Sequence, residues 1–130
     1  MYANLQRQHA AKQYANVHNE TRLEDATPHR LIQMLMEGFL ARVNSAKGAI
    51  EYGDFEGKAH FISRAVDIVG GLNEALDMEK GGEIAANLNS LYRYMSERLL
   101  HASLTNDPAV LDEVAALMKE IKEAWDAIKN

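Results

Sequence analysis

Cysteine is absent from this 130-residue chain, and with it every disulfide, thiolate nucleophile and thiolate metal site. That absence fits a cytosolic protein. There are only two prolines, Pro28 and Pro108, and each follows a residue suited to cap a helix, Thr27 and Asp107. No basic cluster interrupts the acidic balance: the formal charge is −5, and the 14 lysines and arginines form no run. A phosphate-rich partner needs a clustered basic face, so nucleic acid is not an expected ligand. No apolar stretch approaches the length of a membrane span, and the first residues carry neither an apolar signal core nor a small-residue cleavage pattern. The expectation is a protein neither exported by a signal sequence nor inserted in a membrane.

What is present suits one folded domain. Hydrophobic residues make up 47% and charged residues 25%, above the range in which a chain stays disordered. The first twenty or so residues are amide-rich with isolated apolar anchors, too few to bury a whole helix face. They read as a mobile or loosely docked N-terminal arm, residues 1–26. From residue 27 to 130 the punctuation predicts four helices. The first starts at Thr27-Pro28 and runs to about Glu51, where Gly53 can turn the chain and Asp54 can cap the next helix. The second spans roughly Phe55 to Asp77, with Gly70 and Gly71 inside it marking a close approach, a bend or simple tolerance. The third begins near Glu83 after Gly81-Gly82, and the fourth follows Asp107-Pro108 almost to Asn130. Short connections force successive helices side by side. The expected fold is all-α, an antiparallel up-down-up-down four-helix bundle.

Periodicity assigns the core. The stripes are Ile32, Leu35, Phe39, Val43, Ala46 and Ile50 in helix one; Phe55, Ala59, Ile62, Val66, Val69 and Leu76 in helix two; and Ile84, Leu88, Leu91, Met95, Leu99 and Ala102 in helix three. Apolar residues remain beside these stripes. Helix one carries Leu31 and Met34 with Gly38, Ala41 and Ser45, a strip whose small residues would admit an amphipathic partner helix. Helix two adds Phe61, Ile68 and Leu72. On helix three, Tyr92 and Tyr94 flank the stripe, Leu100 and Leu104 lie nearly opposite it, and Asn87 is placed to bond a partner's backbone. Helix four, with its apolar residues in one sector, asks for no partner. Surplus on three helices but not the fourth points to a partner surface.

Catalytic chemistry finds no support. The inward Glu and Glu-x-x-His pattern of di-iron bundles is missing; Glu56 with His60 and Glu97 with His101 have i to i+4 spacing away from the core. There is no P-loop, dinucleotide fingerprint or nucleophile elbow. A ferritin-like metalloenzyme is disfavoured, and neither a cofactor nor a metal is expected.

Residues 81–107, GGEIAANLNSLYRYMSERLLHASLTND, resemble the third helix and following turn of the flagellar secretion chaperones called FliS. Thr27-Pro28-His29-Arg30-Leu31-Ile32-Gln33-Met34-Leu35-Met36-Glu37-Gly38 resembles that family's first-helix opening, Tyr14-Ala15-Asn16-Val17 its arm, and Glu123-Ala124-Trp125 the end of its last helix. Met36 departs from the aromatic residue usual there. The resemblance implies a cytoplasmic chaperone that binds the disordered C-terminal segment of flagellin across apolar helix surfaces and prevents premature polymerisation, with no enzymatic step. It further implies that the arm, through Tyr14 and Val17, covers part of the track when no guest is present. Alternative partners are an anti-sigma factor, met by a helical adaptor through the same strips, or a component of the export machinery. The apolar strips could also support a homodimer without guest.

Overall fold

The computed structural model describes residues 26–128, so the expected arm with Tyr14 and Val17 lies outside the described residues. Within them the chain forms four helices, α1 (Pro28–Glu51), α2 (Phe55–Glu74), α3 (Met78–Thr105) and α4 (Pro108–Ala127), and no strands.

Each helix begins where a short oxygen-bearing side chain precedes it. The Thr27 hydroxyl accepts from the Arg30 amide at 3.1 Å, Asp54 from Gly57 at 2.9 Å, Asp77 from Lys80 at 3.0 Å and Asp107 from Ala109 at 2.9 Å. These bonds satisfy amides that the first turn leaves without intrahelical acceptors. Between α1 and α2, Gly53 turns the chain at φ 72°. Between α3 and α4 the same left-handed conformation falls to Asn106, φ 57°, a residue type that tolerates it.

α3 begins earlier than its period suggests. Asp77 caps a first turn from Met78, and Gly82, at φ 52° and ψ −129°, then breaks the helical path before the long segment continues. That backbone conformation is open to glycine and barred to side chains with a Cβ. α2 ends at Glu74, three residues before its expected limit.

The helices meet as a ring: α1 touches α2 and α4, and α3 touches the same two. Cross-links give the direction of two pairs. His29 at the start of α1 bonds Trp125 at the end of α4, and Lys47 late in α1 pairs with Asp112 early in α4 at 2.9 Å, so this pair runs antiparallel. Lys58, in the first turn of α2, reaches Ser103 and Asn106 at the end of α3. Phe39, Met36, Met95, Leu99, Leu111 and Met118 are among the fully buried side chains between the helices.

Packing in a ring widens the apolar face each helix needs, and this corrects the reading of surplus strips. Leu31, Met34 and Gly38 are buried rather than open. The polar bonds to α4 occupy one flank of α1, through His29, Gln33 and Lys47, so this opposite flank meets α2, the most extensive helix contact in the bundle. The partner helix admitted by that strip is the chain's own α2. Ile68 and Leu72 are correspondingly buried, while Phe55 and Ala59, assigned to the core by periodicity, are exposed.

Candidate partner-binding surface

At the end of the bundle where α1 and α3 begin and α2 and α4 finish, the helices stop at different heights. With 20 residues α2 spans roughly 30 Å, and with 28 residues α3 would span about 42 Å if straight. At this end lies an open cavity of about 550 Å³, lined by residues of all four helices. α1 contributes Ile32 and Met36, and the end of α2 contributes Leu72, Ala75 and Leu76. α3 adds Ile84, Ala85, Leu88 and Tyr92, and α4 adds Ile121, Ala124, Trp125 and Ile128. Among the described residues of the lining, Asp77 and Glu120 alone are charged.

Hydrogen bonds and ring stacking hold the α4 wall of the cavity to α1. Trp125 donates its indole N–H to the His29 carbonyl at 3.0 Å, and the two rings stack with centroids 4.7 Å apart. Beside it Asp126 accepts from Lys122 and from Gln33, both at 2.7 Å, and the Lys122 bond is the main reason its carboxyl is held below the usual range. On the opposite side Tyr92 is 3% exposed, and burial pushes its phenol up to about 12. It stays neutral at any physiological pH. Ile84, just past the Gly82 break, is 73% exposed at the rim. A volume of this size with an almost wholly apolar lining suits apolar side chains of a second molecule.

Among the residues expected to meet a partner, Leu72 and Tyr92 line this cavity. Phe61 is half-buried against the core, while Leu31, Met34 and Ile68 lie within it. Asn87, Tyr94, Leu100 and Leu104 are exposed along α3 and do not join the cavity. The Tyr94 hydroxyl donates to Glu113 at 2.6 Å, and Arg98 donates to the other oxygen of that carboxylate at 2.8 Å. Those two hydrogen bonds, Tyr94 first, hold the Glu113 carboxyl below its ordinary range.

One expectation is corrected here: Ile84, read as core, is exposed at the rim of the cavity, whose α4 side is Ile121, Ala124, Trp125 and Ile128. Among the described residues no cluster of three or more His, Asp or Glu could hold a metal ion, and no helix is long and apolar enough to cross a membrane.

Fold and cavity together define the class: a helical bundle with an open, largely apolar cavity at one end. The chain belongs to the family described as flagellar protein FliS, whose model matches residues 10–130. It is 50% identical over 121 residues to the flagellar secretion chaperone FliSB of Pseudomonas aeruginosa, covering 93% of this chain and 96% of that one. It is 45% identical to the flagellar secretion chaperone FliS of Salmonella typhimurium, covering 90% and 87% of the two chains. For the Bacillus subtilis flagellar secretion chaperone FliS the identity is 32%, over 83% and 80%. The chain is thus a member of a chaperone family of flagellum biogenesis and secretion.

Proposed function

We propose that this chaperone binds flagellin in the cytoplasm through flagellin's disordered C-terminal segment and keeps it from polymerising before export. The observation that carries the reading is the open apolar cavity of about 550 Å³ at one end of the bundle. A segment that orders only on binding loses conformational entropy, and a long, dry apolar surface is what offsets that loss. Guest side chains enter between Ile84, Leu88, Ile121 and Trp125, and the segment continues along the exposed α3 residues Leu100 and Leu104. While held there, the guest helix is unavailable to other flagellin molecules. Holding the guest in this way involves no nucleotide-driven step.

In this reading the chain is one bundle domain, residues 27–130, preceded by an arm, residues 1–26, whose Tyr14 and Val17 compete with the guest. Competition lowers the apparent affinity by the fraction of molecules whose site is covered. The deciding experiment is co-purification of the chain with full-length flagellin and with flagellin lacking its C-terminal segment. Retention of the first and loss of the second is expected; equal retention of both overturns the mechanism.

A further inference from the structure

The first turn of α3 is set apart from the rest of that helix. Residues 77–81 close one turn of their own: the Gly81 N–H donates to the Asp77 carbonyl at 2.8 Å, and Asp77 Oδ1 accepts from the Glu79 and Lys80 amides at 3.1 and 3.0 Å. Gly82, at φ 52° and ψ −129°, then redirects the chain. Gly81 shows which way the turn bends. A Cβ built there would stand 2.6 Å from the Ala85 Cβ, whereas Cβ atoms four residues apart on a straight helix are about 5–6 Å apart. The turn is folded over Ala85, which is 3% exposed and lines the apolar cavity together with Asp77 and Gly81.

Two glycines specify this fold-back for separate reasons. Gly82 is required by its backbone angles, and Gly81 because a methyl group there would strike Ala85. Neither reason applies to a straight α3, where glycine only lowers helix propensity. Little else fastens the turn. Met78, Glu79 and Lys80 are exposed, and among the described residues none of their side chains makes a hydrogen bond or ion pair with another helix. A glycine passes between the positive-φ and helical regions without the clash that a Cβ brings, so Gly82 is a hinge.

We infer that residues 77–82 form a strap at the mouth of the apolar cavity, which lies over Ala85 in the guest-free chain and swings outward about Gly82 to admit a guest. This rests on the reading of that cavity as the guest's docking place. Folded back, the strap keeps Ala85 from water. Swung out as a continuation of α3, with Gly82 turned helical, it uncovers Ala85 and widens the mouth beside Ile84. Uncovering that apolar surface costs free energy in water, and the cost disappears once an apolar guest side chain covers it. The guest thereby selects the open form, and the strap shuts the surface again when the guest leaves.

Trp125, the chain's only tryptophan and a wall of the cavity, reports entry by its fluorescence. Stopped-flow mixing of a tryptophan-free flagellin C-terminal peptide with wild-type chain, Gly81→Ala, Gly82→Ala and Gly48→Ala tests the strap. Gly48 is the control, a helical glycine of α1 outside the cavity whose added Cβ meets nothing within 4 Å. Alanine at either strap position disfavours the folded-back form. With the open form at about 10% or less in wild type, association in both strap variants should be about tenfold faster. Gly48→Ala should match wild type. Hydrogen exchange should quicken at the start of α3 alone, which also shows that each variant keeps the bundle. A wild-type association rate in either strap variant overturns the strap and leaves the chaperone reading standing. Slower association does the same, since the turn is then a fixed wall of the site. Absence of peptide binding by the wild-type chain takes down both.

Discussion

Trp125 gives its indole N–H to the backbone carbonyl of His29 at 3.0 Å while its ring stacks on the His29 imidazole. Through this pair the last helix is fastened to the first turn of the first, and Trp125 is held as a wall of the apolar cavity. Trp125→Phe keeps an aromatic ring over His29 and loses the hydrogen bond, which should cost about 1 kcal/mol in urea denaturation. Trp125→Ala removes wall and bond together, with an expected loss of about 3 kcal/mol and weaker peptide binding. Equal stability of the two variants would show that the ring contributes nothing beyond its N–H.

Ile84 separates binding from folding. It lines the cavity while 73% exposed, so Ile84→Asp should leave stability within about 0.5 kcal/mol of wild type. Affinity for a flagellin C-terminal peptide should fall at least about tenfold, because a carboxylate at the rim must be desolvated on docking. Unchanged affinity in titration calorimetry would exclude this cavity as the docking place.

Gly82 holds a conformation, φ 52° and ψ −129°, that side chains with a Cβ avoid. Although a Cβ there meets open space, Gly82→Ala should destabilise by about 1–3 kcal/mol through backbone strain alone. The chain can relieve that strain only by moving the turn that precedes Ile84. Hydrogen exchange at the start of α3 should therefore rise in the variant.

Lys58 is buried, at 8% exposure, and among the described residues no carboxylate pairs with it. Its ammonium instead donates to the Ser103 carbonyl and to Asn106 Oδ1, both at 2.7 Å, and sits 5.4 Å from the Phe55 ring centre. A cation is favoured there by the unpaired carbonyls and the negative end of α3. Lys58→Met keeps much of the packing and leaves both acceptors without that donor; a loss of about 2 kcal/mol is expected in chemical denaturation. A loss below about 0.5 kcal/mol would mean that water replaces the ammonium at no cost.

Glu113 carries a pH dependence whose sign follows from its two donors. Tyr94 and Arg98 hold its carboxyl below the ordinary 4.5, so the folded state favours the ionised form. The associated stability is fully present above the unfolded pKa and is lost as pH falls through the lower folded value. Since Glu113 lies near the surface, the effect is small and screened by salt. Wild type and Glu113→Gln should differ in stability at pH 7 and converge in acid, and Tyr94→Phe should move the Glu113 titration, followed by NMR, back toward its usual range.

Much of the bundle is legible in neighbouring residues. Thr27-Pro28, Gly53-Asp54 and Asp107-Pro108 mark helix boundaries that the structure keeps, because a cap is an interaction between residues two or three positions apart. The i, i+3, i+4 recurrence likewise finds Leu35, Phe39, Val43, Met95 and Leu99 in the core. Periodicity fails where burial depends on a distant neighbour. Tyr92, read as a flanking residue, is buried because α3 stands between α2 and α4 and needs a face wider than one stripe. Ile84 is exposed because it follows the Gly82 break and faces the open cavity rather than a packed neighbour.

The sequence by itself determined that this chain is helical, where its helices start, and that it resembles the flagellar secretion chaperones to whose family it belongs. Only the tertiary structure decided which apolar residues remain available to a partner. Leu31, Met34 and Ile68 are spent inside the bundle, and Ile121, Trp125 and Ile128 open onto the cavity. The physical reason is that helix propensity and capping are local, whereas exposure depends on the relative lengths and heights of helices far apart in sequence, which no single stripe records.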